Sequence, residues 1–132
     1  MPRAQSPESE ASRIALWTPV VLYMAVIFGL SSITRPPGMP GGSDKVLHAL
    51  SYSVLGLLFA RALTGGREPV TLRCVVLTVG FGALYGASDE LHQYFNPPRS
   101  AEAADLLADT IGAGLGAGAL YAWGIIRGRH GL

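Results

Sequence analysis

The chain has 132 residues, enough for one domain, and its net charge of +1 offers no strong field to a polyelectrolyte partner. Hydrophobic residues make up 49% and charged residues only 14%, a balance too apolar for an ordinary soluble fold. The ten Lys and Arg gather into no nucleic-acid face, and the single Cys74 excludes an internal disulfide and a cysteine-based metal site.

Met1 to Ser12 is polar, carries Pro2, Pro7, Glu8 and Glu10 without periodicity, and is expected to be a flexible tail. After Arg13 an uncharged run continues through Ser31, Ser32 and Ile33 for about 20 residues, the length that crosses a bilayer. Pro19 lies in its first turns, where a missing amide hydrogen costs least, and Trp17 sits where an interfacial aromatic would. A signal peptide cut after Ser31 is the competing reading, Gly29 and Ser31 being suitably small. The run, however, exceeds the roughly 7 to 15 residues of an ordinary signal-peptide core.

Thr34 to Ser43 is a loop of Pro and Gly that neither helix nor strand tolerates. Ser43 then caps a second helix, with Asp44 favoured in its first turn by the helix dipole and the span running from Val46 to Leu63, where Gly65-Gly66 ends it. The third span runs from about Leu72 to Phe95 and stops at Asn96-Pro97-Pro98. Ser100 is placed to cap the fourth, from about Ala103 to Ile126, which carries Gly112, Gly114, Gly116 and Gly118 before Arg127, Gly128 and Arg129. The expected architecture is an all-α membrane protein: a tail over residues 1–12, four transmembrane helices over 13–127 and a short C-terminal tail over 128–132.

With four spans, Arg3, Arg13, Arg61, Arg67, Arg73, Arg127 and Arg129 share one side, and Arg35, Lys45 and Arg99 lie on the other. The positive-inside rule then puts both termini of a multi-pass protein in the cytoplasm. Asp44, Lys45 and His48, Asp89 to Gln93, and Glu102, Asp105 and Asp109 consequently fall toward the outer leaflet.

Helix geometry brings these groups to one level, Glu90 being roughly 8 Å inside a helix end near Phe95 and Asp109 at a similar depth from a start near Ala103. Asp44, His48 and Tyr52 fall on one stripe, and Asp89 with Gln93 and Asp105 with Asp109 form stripes of their own. Gly82 with Gly86, Gly112 with Gly116 and Gly114 with Gly118 are four apart, as in close-packed membrane helices. Ionisable groups at such depth mark a functional site by default, although Lys45 and Arg99 also suit interfacial anchors and Tyr52, Tyr85 and Tyr94 suit packing.

Ser31-Ser32, Asp44-Lys45 with His48, Tyr52 and Gly56, Tyr85-Gly86 with Asp89-Glu90, Gln93, Phe95, Pro97 and Arg99-Ser100, and Asp105 with Asp109 and Gly112 together resemble the VanZ-like family of small bacterial integral membrane proteins. The resemblance covers about Leu30 to Gly116. The family often has an aromatic after the motif histidine, where this chain has Ala49, and Asn at the position of Asp109. It implies a four-helix envelope protein; its founding member is associated with low-level resistance to the glycopeptide teicoplanin, through a biochemical activity that the resemblance does not supply.

Three functions remain open from the residues. An outward-facing polar pocket of Asp44, Lys45, His48, Tyr52, Asp89, Glu90, Gln93, Arg99, Asp105 and Asp109 would bind a lipid headgroup or a lipid-linked cell-wall intermediate, Lys45 and Arg99 meeting its anionic group. An intramembrane enzyme would use Asp89, Glu90 and His48 for acid–base work, or hold a divalent metal with His48 or His92 beside Asp89, Glu90 and Asp105. A scaffold would use the same groups to keep the helices in register. No His-Glu-x-x-His motif is present, so spacing assigns no metal and no cofactor. Membrane lipids are the expected partners, and the oligomeric state is open.

Overall fold

A computed structural model describes residues 7–32, 43–66, 69–95 and 103–130, and every regular element among them is an α-helix. These are α1 (Pro7–Ser31), α2 (Ser43–Leu63), α3 (Leu72–Tyr94) and α4 (Ala103–His130). Two outer bounds differ from the expected tails. Residues 7–12 form the opening turns of α1, with Glu10 near the positive end of the helix dipole. At the other end α4 runs past residue 127 to His130, with Arg127 near the negative end of its dipole.

The internal bounds have local causes. Gly65 and Gly66 adopt φ of +68° and +74°, a backbone that side chains resist. Gly66 N–H donates to the Arg61 carbonyl at 2.9 Å and Gly65 N–H to that of Ala62 at 3.2 Å, which is a Schellman ending for α2. Thr71 starts α3, its Oγ1 accepting the Cys74 amide at 3.2 Å.

Three helices are long and apolar enough to cross a membrane, over Ser9–Ser31, Lys45–Leu63 and Leu72–His92. The 28-residue α4 is not among them, because Gly and Ala replace the large apolar residues that the other helices carry. The interior along α4 is correspondingly fine-grained, whereas Leu16, Val20, Ile27, Tyr52 and Leu55 fill the space between α1 and α2. Ala60, Ala62, Cys74, Ala113 and Ala117 are buried, while Val21, Leu22, Leu50, Leu84, Leu107 and Leu115 point outward. Small residues at the contacts of α4 and many large apolar side chains facing outward suit hydrocarbon surroundings, where helices associate by close packing rather than by expelling water.

Successive helices run in opposite directions, so α2 and α4 lie parallel, and theirs is the largest interface. A side chain at Gly112 would strike the Ala49 backbone, one at Gly116 the Ser53 carbonyl, and one at Gly56 the Ala113 carbonyl. Helix α3 covers the other flank of α4: Gly82 faces Ala113, and Gly114 lies against Val79. Helix α1 rests on α2 and α3 through aromatic side chains. Trp17 meets Phe59 edge-on at 5.5 Å, Phe59 stacks on Phe81 at 4.0 Å, and Tyr85 continues the column toward Tyr52 at 6.2 Å.

Candidate functional site

The polar residues of α2, α3 and α4 meet about one and a half turns inside one end of the bundle, at the start of α2, the end of α3 and the start of α4. The parallel seam sets this level. Where Ala49 touches Gly112, the preceding turns of the same two helices carry Lys45 and His48 opposite Asp105 and Asp109.

His48 Nδ1 lies 2.7 Å from Asp109 Oδ1, with the Nδ1–H donating to the carboxylate when the carboxyl is ionised. His48 Nε2 is 3.9 Å from Asp105 Oδ2, and Lys45 Nζ is 2.9 Å from Asp105 Oδ1. Asp105 thus stands between the ammonium and the imidazole. The carboxylates are deep: Asp109 is 0% exposed, Asp105 3%, Asp89 4% and Glu90 7%. The Lys45 side chain is about one-third open at 32%, so the cluster reaches its surroundings at the α2 rim.

Helix α3 brings Asp89 and Glu90 against this pair. One turn before Glu90, Gly86 provides the space: an added Cβ would lie 2.9 Å from Asp109 Oδ2 and 3.1 Å from Asp109 Cβ. One donor atom each from His48, Asp89, Glu90 and Asp109 falls within 4.8 Å of all the others, a grouping able to hold a metal ion. Tyr52, one turn after His48, is 1% exposed beneath them, and among the described residues its hydroxyl and Asp109 Oδ2 have no hydrogen-bond partner.

Of the residues expected at the site, Lys45, His48, Tyr52, Asp89, Glu90, Asp105 and Asp109 come together. The side chains of Asp44 and Gln93, and Glu102, Arg99 and Ser100 entirely, lie outside the described residues. His92, considered beside His48 as a metal ligand, points elsewhere. It stacks on Phe28 at 4.3 Å and shares a 2.9 Å hydrogen bond with Ser32 Oγ, which ties α3 to α1. Tyr85 does the same one level deeper, donating its hydroxyl to the Met24 carbonyl at 2.6 Å. The Met24 carbonyl carries no sequence signal for its contact, and Ser32, although part of the Ser31-Ser32 motif, carried none that named His92 as its partner. Gly86 did: its fourfold spacing from Gly82 suggested close helices, and it also makes room for a carboxylate.

The family model described as VanZ/LLP1 matches residues 4–126. No curated protein and no solved structure matches the chain.

Proposed function

The chain belongs to the VanZ/LLP1 family, and from that premise we propose that it is a multi-pass protein of the bacterial cytoplasmic membrane which binds a phosphate-bearing lipid at its polar end. The ligand is the headgroup of a membrane lipid or of a lipid-linked cell-wall intermediate. In this reading α4 is the fourth span, held inside the bundle by its small residues, and both termini are cytoplasmic. The positive charges support that orientation, with Arg13, Arg61, Arg73 and Arg127 at one end of the helices and Lys45 at the other. The polar cluster then faces the outer leaflet, where an effect on sensitivity to a glycopeptide such as teicoplanin would arise.

The observation that supports the reading is the convergence of six ionisable side chains from three helices at one level, with Lys45 open at the rim. Burying carboxylates and an imidazole at such depth is costly enough that a structure without use for them would favour apolar residues. Lys45 is the group placed to meet an incoming phosphate, and Asp105 positions it from behind.

Mass spectrometry of lipids retained after detergent purification tests this. The wild type is expected to retain one phosphate-bearing class well above its share of the membrane, and Lys45→Gln to lose that excess. Retained lipid that matches bulk composition in both proteins would overturn the proposal.

A further inference from the structure

We propose that His48, Asp89, Glu90 and Asp109 form a binding site for a divalent cation of the Mn²⁺ or Zn²⁺ kind. The four belong to three helices, and their donor atoms lie within 4.8 Å of one another. Two donors on one ion at about 2.2 Å each are about 4.4 Å apart when trans and closer at smaller angles, so closing the set onto a metal takes a contraction of at least about 0.4 Å. His48 Nδ1 and Asp109 Oδ1, at 2.7 Å, are already near the about 3 Å that separates adjacent ligands on one ion. A cation entering there replaces the proton that the pair shares in its absence.

Two polar atoms outside that bond point to a ligand independently. Asp109 Oδ2, in a side chain that is 0% exposed, and the Tyr52 hydroxyl, in one that is 1% exposed, have no hydrogen-bond partner among the described residues. The Tyr52 hydroxyl is buried within electrostatic reach of Asp109, Asp89 and Glu90, beside the cluster. Buried polar groups are ordinarily satisfied, and a bound cation with its water supplies what these two lack. One imidazole with three carboxylates is a mixed donor set, harder than a thiolate site and softer than an all-oxygen cage, which selects the cation class.

The inference deepens the lipid-binding reading and rests on it only for the second ligand. A cation lets a pocket lined with carboxylates accept an anionic phosphate beside Lys45, which pairs with Asp105 next to His48.

The test uses Mn²⁺ alone with the full chain in detergent, followed by electron paramagnetic resonance. About one tightly bound Mn²⁺ per chain is expected, showing ¹⁴N coupling from a coordinated imidazole. His92→Ala keeps that coupling, and Glu90→Gln and Asp109→Asn weaken binding by at least about tenfold. Absence of ¹⁴N coupling in the wild type overturns the site even if the variants fail to fold. Equal Mn²⁺ affinity in wild type and a folded Glu90→Gln also overturns it. Enriched lipid without bound Mn²⁺ would remove the metal and leave the lipid reading standing; bound Mn²⁺ with bulk lipid composition would do the reverse.

Discussion

Along the α2–α4 seam the two helices meet through Gly56, Gly112 and Gly116 against backbone atoms, whereas the space between α1, α2 and α3 is filled by Trp17, Phe59, Phe81 and Tyr85. The first seam has no compressible layer. Its spacing is set by peptide groups, so the side chains one turn above it, Lys45 and His48 against Asp105 and Asp109, are held at fixed separations. The second seam depends on rings that can tilt, and it supports the site only indirectly, through Tyr85 and Tyr52. Precision is therefore built where a charged contact needs it, and bulk where it does not.

The largest effect that can break this contrast comes from Gly116. In Gly116→Leu the new side chain meets the Ser53 carbonyl and the Leu57 amide, backbone atoms that cannot turn aside, so no folded monodisperse protein is expected in detergent chromatography. A well-behaved Gly116→Leu would show that the narrow seam is not rigid. Next come the buried ionic partners. His48→Leu or Asp109→Leu alone is expected to cost about 3 to 5 kcal/mol, because each leaves the other desolvated, while the double variant recovers most of that loss. Unfolding in mixed micelles reads all three, and a double variant as unstable as the sum of the singles would count against a direct pair.

On the wide seam Phe81→Leu removes a stacked partner of Phe59 and is expected to lose only about 1 kcal/mol in the same assay. The smallest effect belongs to Gly118, where an added methyl meets nothing within 4 Å. Gly118→Ala should leave stability within about 0.5 kcal/mol of the wild type. A large loss there would place a further surface against that face.

The helix order and the internal bounds of α2 and α3 were legible because their breakers are unambiguous: Gly65-Gly66 on one side and Asn96-Pro97-Pro98 on the other. The outer bounds were less so. Polar residues at 7–12 look like a tail until a neighbouring apolar run nucleates the helix for them. Among the spaced glycines the sequence offered two overlapping pairs on α4, nearly opposite one another around the helix. Only contact shows that Gly112 and Gly116 meet α2 while Gly118 is open. The same limit applies to the two histidines. Spacing placed His48 and His92 at one end of the bundle, but which one joins the carboxylates depends on the rotation of α3, and that rotation sends His92 to Phe28.

The seam with the closest contact joins helices that are not neighbours along the chain, and this has a bearing on biogenesis. His48 meets a carboxylate 61 positions downstream. During synthesis α1, α2 and α3 leave the ribosome before the helix that completes the bundle, so the imidazole on α2 and the acids on α3 must be sheltered until it arrives. Chains truncated before α4 should be degraded faster than chains that carry it, because the polar cluster closes only when α4 packs against α2 and α3.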